Sequence, residues 1–228
     1  MKVAVLGTGS VGQTIANRLT GLGHEVVIGT RDIAESKLRK TADAFGNPAI
    51  GEWIESNPSV KLVTFEEAAD FGEIVFNCTK GVYGIEALKL AGEKNLTGKI
   101  IVDISNPLDF SKGMPPTLTI SNDNSLGEEI QKHFPNSKVV KALNTMWCGL
   151  MVNPAMINGG DHSTFVCGND QDAKAEVKAI LKSFGWTENN ILDLGDITNS
   201  RGTEMYLPLW VRIFGVTQNG AYNIKIVS

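Results

Sequence analysis

Short runs of apolar, β-branched residues alternate along the chain with segments whose apolar positions recur at helical spacing. The run over 100–104 is apolar almost throughout, which is typical of strands covered by helices on both faces of a sheet. The strands predicted in this way are KVAVL, EVVIG, VKLVT, EIVFNC, KIIVDIS, KVVKAL, STFVCG and ILDLG. The alternation predicts an α/β fold with a doubly wound parallel sheet.

The pattern becomes irregular after Asn144 and resumes after His162. Over 170–185, apolar residues recur at helical spacing, and Gly185 stands where a left-handed residue would end a helix. The segment TEMYLPLWVRIFG predicts an apolar helix that is interrupted or started near Pro208. The last apolar run, YNIKIV, predicts a terminal strand or an extended strap.

A glycine-rich turn, VLGTGSVGQ, joins the first predicted strand to the first predicted helix. Because it matches GxGxxG in a strand–turn–helix–strand context, it predicts a Rossmann-type dinucleotide-binding fold. Gly7 would allow the tight turn, Gly9 the approach of a pyrophosphate, and Gly12 close packing of the helix. The backbone N–H groups offered to phosphate would be those of Thr8, Ser10 and Val11. The alternative is a tight turn without a nucleotide.

The second predicted strand ends in Thr30 and Arg31, where an NAD-binding fold would carry an acid for the ribose hydroxyls. A guanidinium suits a 2′-phosphate, and the threonine hydroxyl adds a donor. We therefore expect NADP(H) in preference to NAD(H). The alternative for Arg31 is a surface ion pair with Asp32 or Glu35.

The predicted helix after this strand carries further cations within reach of the same phosphate. Lys37 is our candidate for the second cation of the site. We interpret Arg39 and Lys40 as part of a solvated helix face, which is the commoner role of charged residues on a helix surface.

Ligands of this fold cross the carboxyl ends of the strands, so residues that follow strands are further candidates. They are Thr79, Lys80, Asn106, Pro107 and Asn144. Lys80 has the alternative of an exposed loop lysine, and Asn106 that of a turn cap before proline. The segment 105–116 is long and proline-rich for a plain connection, so we expect a wall or lid there.

The composition sets limits on partners and location. The chain of 228 residues has a net charge of −4, 42% hydrophobic and 20% charged residues, which gives no electrostatic case for nucleic acid. Its three cysteines lack CxxC spacing, so neither a disulfide framework nor a metal site is expected. No apolar run approaches the roughly 20 residues of a membrane span, and MKVAVLG reaches glycines too early for a signal peptide. We expect a cytoplasmic protein without a membrane partner.

The chain shows no HExxH, GxSxG or Ser-His-Asp order. Among its histidines, only His162 is considered for a site. The lack of recognisable nucleophile or metal-site motifs suits hydride transfer between two bound rings, in which the protein supplies proximity, orientation and exclusion of water. The aromatic residues that could wall a pocket for a flat second substrate, or could belong to the core, are Trp147, Tyr206, Trp210 and Phe214.

Four segments carry a specific resemblance: 2–32, KVVKALNTM, VCGNDQDAKAEV and DLGDITNSRGTEMYLPLWVRIFG. Together they resemble the NADP oxidoreductases that use the deazaflavin coenzyme F420, over nearly the whole chain. That family is similar in fold to the dinucleotide domain of six-transmembrane ferric reductases and, more distantly, to pyrroline carboxylate reductases.

The resemblance implies NADPH on the glycine turn, with Thr30 and Arg31 on the 2′-phosphate and the backbone near Ala142 holding the nicotinamide amide. It also implies a deazaflavin stacked over the ring, in a cleft closed by the C-terminal segments. Two features depart from the family: Asn144 stands where the well-studied members carry histidine, and SNPLDFSKGMPPTL is unlike theirs.

These observations predict one continuous unit, 1–228, with a dinucleotide-binding core at 1–145 and an extension at 146–228 that completes the acceptor cleft. The leading hypothesis is an NADPH-dependent oxidoreductase that passes hydride to a small flat acceptor, such as a deazaflavin or flavin, with Asn144 positioning the reacting rings. The rival is a non-enzymatic NADP(H)-binding redox sensor that acts through a protein partner. The apolar face of LPLWVRIFG is expected to form a homodimer contact.

Overall fold

An eight-stranded sheet forms the centre of the molecule, in the order β10-β9-β8-β5-β4-β1-β2-β3. The structure is a computed structural model and describes residues 1–42 and 46–227. The strands are β1 (Lys2–Leu6), β2 (Glu25–Thr30), β3 (Lys61–Thr64), β4 (Ile74–Asn77), β5 (Ile100–Asp103), β6 (Leu108–Asp109), β7 (Thr117–Leu118), β8 (Lys138–Ala142), β9 (Thr164–Gly168) and β10 (Ile191–Asp193). The short strand β6 lies in the predicted wall or lid, 105–116, and pairs antiparallel with β7, which follows directly after that segment.

The six strands from β3 to β8 in this order run parallel, which confirms the predicted doubly wound α/β fold of Rossmann type. Strand β9 instead pairs antiparallel with β8, and β10 runs parallel to β9. The reversal was not predicted. It arises because the segment 143–163 returns to the sheet at the edge where β8 ended, whereas a parallel pairing needs a crossover to the opposite edge.

Helices cover both faces of the sheet. They are α1 (Ser10–Gly21), α2 (Ile33–Leu38), α3 (Ile50–Ser56), α4 (Phe65–Phe71), α5 (Gly84–Ala91), α6 (Glu93–Leu96), α7 (Leu126–His133), α8 (Cys148–Val152), α9 (Gln171–Phe184), α10 (Ser200–Met205) and α11 (Leu207–Thr217). Helices α1, α3, α8 and α9 bury apolar residues in one cluster, and α4, α5, α6 and α7 in a second. The two clusters explain why the central strands are apolar on both faces.

Helix α9 follows its sequence pattern closely. The carboxylate of Asp170 caps its first turn by accepting from the Ala173 N–H at 2.8 Å. Gly185 ends the helix in the left-handed conformation with φ 109°. The residues at helical spacing are buried: Ala173, Val177, Ile180, Leu181 and Phe184. The predicted helix and its stop are confirmed.

The C-terminal part consists of two short helices and an extended strap over 218–227. Pro208 lies at the start of α11, so the chain breaks between α10 and α11 as expected. In the strap, the Ile224 carbonyl accepts from the Ser163 N–H at 2.8 Å, although no strand forms. Within the described ranges, no helix is both long and apolar enough to cross a bilayer.

We expect Leu88→Ala to lower the free energy of unfolding by about 2–5 kcal/mol, because Leu88 is fully buried and its removal leaves a cavity between α5 and the sheet. Leu90→Ala, on the same helix, is the matched control: this side chain is 47% exposed, so a change of at most about 0.5 kcal/mol is expected. Urea denaturation measures both. Equal losses would contradict the assignment of the core.

Candidate functional site

The glycine turn lies between β1 and α1, and its glycines stand in three different environments. Gly7 has φ +117°, and a Cβ there would lie 2.7 Å from the Cys78 carbonyl oxygen. A Cβ on Gly12 would lie 2.1 Å from the Gly7 carbonyl oxygen. Gly9 has an ordinary φ of −80°, and a Cβ on it would meet nothing within 4 Å. No contact within the protein therefore requires glycine at this position, whereas the close approach of a ligand would.

A cavity of about 410 Å³ opens beside this turn at the carboxyl ends of β1, β2 and β4. It has the size of a small-molecule site. The glycine turn, the start of α2 and one face of α5 form its walls. Seven predicted cofactor residues line it: Gly7, Thr8, Gly9, Thr30, Arg31, Thr79 and Lys80. Seven others do not: Ser10, Val11, Gly12, Lys37, Asn106, Pro107 and Ala142.

A chain of hydrogen bonds closes the end of the cavity next to β2. The buried Thr30 hydroxyl lies 2.7 Å from the Ser36 hydroxyl. The Arg39 guanidinium donates to Ser36 Oγ at 2.6 Å and to Thr8 Oγ1 at 3.2 Å. Arg39 thus joins α2 to the glycine turn across the cavity wall.

The two cations of this end differ in their surroundings. The Arg31 side chain is 68% exposed and lies 3.7 Å from the Glu35 carboxylate, the ion pair considered as its alternative role. The Asp32 carboxylate caps α2 by accepting from the Glu35 N–H at 2.8 Å. Arg39 lines the cavity, whereas Lys37, the predicted second cation, does not. Helix α2 ends at Leu38, and the turn of the chain that follows it was not visible in the sequence.

The loops that follow β4, β5 and β8 are joined through polar side chains. Thr79 donates its hydroxyl to Asn77 Oδ1 at 2.7 Å. Asn106 Nδ2 donates to the Asn144 carbonyl at 2.8 Å, and Asn144 Nδ2 donates to Asn106 Oδ1 at 2.9 Å. This reciprocal amide pair fixes the two loops relative to each other. Leu143 connects the end of β8 to Asn144 and has a φ of 61°. Positive φ values are rare for non-glycine residues and are found preferentially at functional sites.

A buried ion cluster that the sequence analysis missed lies directly beneath these loops. Lys141 Nζ lies 2.5 Å from Asp103 Oδ2 and 2.7 Å from Glu204 Oε1, and all three side chains are at most 1% exposed. Burial by itself lowers the pKa of Lys141, but the two carboxylates outweigh it and hold the pKa above its ordinary value. The signal was present, since a charged residue inside a buried strand is rare unless it is paired.

A second cavity, of about 670 Å³, begins one residue beyond Asn144. Thr145 lines it, and the Thr145 hydroxyl is buried without a hydrogen-bond partner among the described residues. Phe165 lies on the sheet side, and Tyr206 and Met205 on the side of α10. The cavity therefore combines aromatic and aliphatic surface with a nearby buried hydroxyl.

The other aromatic candidates form a separate cluster. Trp210 stacks on Phe214 with ring centroids 5.6 Å apart and on Tyr222 at 5.3 Å. Trp147 packs against the same group. Of the aromatic residues proposed for the acceptor wall, only Tyr206 lines the second cavity, as far as the structure describes the chain.

His162 has a structural environment. Its Nε2 lies 2.9 Å from the Pro154 carbonyl oxygen, and its Nδ1 lies 2.8 Å from Asn223 Nδ2 of the strap. Its ring meets Trp186 edge to face.

Cys78 lines the first cavity, and burial, with a further contribution from Asp103, raises the pKa of its thiol. It therefore remains a neutral thiol. Over 1–42 and 46–227, no three His, Cys, Asp or Glu side chains are grouped so that they could hold a metal ion.

The parallel sheet, the glycine turn and the cationic cavity define the chain as a dinucleotide-binding protein of Rossmann type. The family model "NADP oxidoreductase coenzyme F420-dependent" matches residues 2–107. A crystal structure from Arthrobacter sp. FB24, of a protein provisionally named F420-dependent NADP-reductase, is 52% identical with a TM-score of 0.94, and all of each chain is covered. The chain belongs to the family of coenzyme F420-dependent NADP oxidoreductases, and the expected use of NADP(H) is confirmed.

Two further relatives lie at lower identity. The F420-dependent NADP reductase of Methanothermobacter marburgensis is 26% identical over 220 residues, covering 93% of this chain and 92% of that protein. The metalloreductase STEAP3 of Rattus norvegicus is 31% identical over 216 residues. That match covers 92% of this chain but spans only 38% of the length of the rat protein.

We expect Arg39→Ala to weaken NADPH binding by about tenfold to a hundredfold, since hydrogen bonds to charged groups contribute about 1.5–3 kcal/mol. NADH binding should stay the same, because NADH lacks the 2′-phosphate. The matched control is Lys37→Ala, an exposed cation two positions earlier that lies outside the cavity lining. Quenching of protein fluorescence measures both affinities. A larger loss of NADPH affinity in the Lys37 variant would instead identify Lys37 as the second cation, as the sequence predicts.

Proposed function

We propose that the protein is an NADPH-dependent oxidoreductase that transfers hydride between NADP(H) and a flat second substrate, a deazaflavin or a flavin-like molecule. The observation that carries this proposal is the cavity on the glycine turn, whose end next to β2 combines two guanidiniums with the Thr30 and Ser36 hydroxyls. Membership of an NADP oxidoreductase family supports the reaction class.

In this proposal the residues of the chain bind, orient and exclude water. The first N–H groups of α1 receive no side-chain cap and face the turn, where an anion is favoured. Arg31, Arg39, Thr30 and Ser36 hold the 2′-phosphate. The dinucleotide lies in a groove that runs from the first cavity past Thr79 and the Asn106–Asn144 pair towards Thr145 in the second cavity. NADPH, when bound, supplies the hydride, so no nucleophile or strong acid is needed from the protein.

The acceptor side of the proposal rests on the second cavity. Tyr206 and Phe165 offer ring surfaces to a flat molecule, and the unpartnered Thr145 hydroxyl offers a hydrogen bond to one of its polar atoms. Asn144 acts here through its amide pair with Asn106, as a positioning residue. The extension 146–228 completes this cleft through α10 and the strap.

Location and assembly are part of the same proposal. We propose a cytoplasmic protein with a small-molecule acceptor and no membrane or nucleic-acid partner. Helix α11 leaves Leu209 55% and Val216 87% exposed, which supports a contact between two copies of the chain in a homodimer.

The experiment that tests the function follows NADPH absorbance and deazaflavin absorbance together after both are mixed with the purified protein. Coupled changes at a rate proportional to protein concentration are expected. The same assay with FAD, FMN and a ferric chelate, alone and with added flavin, covers the acceptor class suggested by the likeness to the rat metalloreductase. Tight NADPH binding with no oxidation by any of these acceptors would overturn the proposal in favour of the redox sensor.

We expect Thr145→Val to raise the KM for the acceptor by about tenfold, because it removes one hydrogen bond while keeping the shape of the side chain. The NADPH dissociation constant should change by less than about twofold, since Thr145 does not line the first cavity. Steady-state kinetics and a binding titration measure the two effects. An unchanged KM for the acceptor would contradict the proposal that the acceptor binds in the second cavity.

A further inference from the structure

One row of residues crosses six strands of the sheet near its carboxyl edge. The strand register places these residues side by side, in the order Gly29, Leu6, Asn77, Asp103, Lys141 and Cys167. The first two belong to the glycine-turn half of the molecule, where Gly29 lines the dinucleotide cavity. Asn77, Asp103 and Lys141 are polar and fully buried, which is unusual for the centre of a parallel sheet.

Asp103 organises the loops that follow β4 and β5. Its Oδ1 accepts from Asn77 Nδ2 at 2.9 Å and from the Ser105 hydroxyl at 2.6 Å. Asn77 in turn accepts from the Thr79 hydroxyl with its Oδ1. The Ser105 carbonyl accepts from Lys141 Nζ at 2.9 Å. The two loops that lead to Thr79 and Asn106 are thus held by one carboxylate and one ammonium.

Glu204 connects the same ammonium to the C-terminal helices. Besides Lys141, its carboxylate accepts from the backbone N–H groups of Leu126 at 2.8 Å and Gly127 at 3.0 Å, at the N-terminus of α7. The positive end of α7 balances the charge of Glu204, while Lys141 balances that of Asp103. Helix α10, which carries Glu204, lines the second cavity through Thr203 and Met205, and Tyr206 directly after the helix lines it too.

We propose that Lys141 is a positioning residue for hydride transfer: its ammonium sets the loops at the nicotinamide end of the dinucleotide groove and the helix of the acceptor cavity in one arrangement. The inference rests on the proposed function for the identity of the two ligands. Its structural basis is that the loop after β5 and helix α10 both contact Lys141 Nζ, and that Asp103 joins the loop after β4 to the same cluster through Asn77. At the adenosine end of the groove, Thr30 and Arg39 form their hydrogen bonds with Ser36 and Thr8, which lie outside this cluster.

The test compares two probes. NADPH reaches both ends of the groove, whereas adenosine 2′,5′-bisphosphate reaches only the adenosine end. The variants are Lys141→Met and the neutral triple variant Lys141→Met/Asp103→Asn/Glu204→Gln, which leaves no unpaired buried charge. Lys174→Met is the matched control: Lys174 is also buried and pairs with Asp193 at 2.8 Å, but it lies on α9, away from the loops after β4 and β5.

We expect both Lys141 variants to lose NADPH affinity by about tenfold or more while affinity for the bisphosphate changes by less than about threefold. Lys174→Met should change neither affinity by more than about threefold, whatever its effect on the melting temperature. Equal losses for the two probes, or no loss in a folded triple variant, would overturn the proposal.

The outcome is independent of turnover. If the wild-type protein bound NADPH without oxidising it, the proposed function would be contradicted. The comparison of NADPH and bisphosphate affinities would still test the role of Lys141. Wild-type protein that binds the bisphosphate as tightly as NADPH would overturn the positioning role, since the nicotinamide end would then contribute nothing.

Discussion

The buried ammonium group of Lys141 must be paired when the sheet and the C-terminal helices pack together. Moving a charge out of water costs several kcal/mol, and the cost is recovered only when the partners are close and fully hydrogen-bonded. Here the partners come from β5 and α10, which lie 38 and 63 positions away in the chain. Asp103 balances the charge of the ammonium within the sheet, but the ammonium's contact with Glu204 and the two N–H groups at the start of α7 are satisfied only when α10 is in place. The C-terminal helices therefore complete a cluster that the sheet alone leaves unfinished.

This constraint bears on how the chain is divided. The predicted core, 1–145, contains Lys141, Asp103 and the N-terminus of α7, while the predicted extension, 146–228, contains Glu204. Glu204 is 1% exposed and contacts the ammonium and two backbone N–H groups of the core. A core without the extension would leave these groups exposed or unpaired. The boundary at 145 therefore marks where the extension begins in the sequence, and we do not expect residues 1–145 to fold stably without it.

Local patterns in the sequence were sufficient for much of the fold. The eight sheet strands, α9 with its glycine stop and the break at Pro208 depend on periodicity and on single residues with special backbone preferences. The reversal at β9 depends on the path of an irregular segment, which no periodicity reports. The fact that Arg39 lines the cavity, whereas Lys37 does not, depends on where α2 ends. The Lys141 cluster depends on contacts between distant segments. Such contacts are set by the tertiary structure.

The side chains of Arg31 and Arg39, next to β2, differ in how far their conformations are already fixed by hydrogen bonds. Arg39 is held by Ser36 and Thr8, so its guanidinium loses little freedom when an anion arrives. Arg31 is largely exposed and pairs with Glu35 across 3.7 Å in water, an interaction of small free energy. It must give up both its mobility and this pair to contact a phosphate. In the proposed 2′-phosphate site, Arg39, which is exposed but already hydrogen-bonded to Ser36 and Thr8, would therefore contribute the better preorganised contact, and Arg31 would contribute mainly charge.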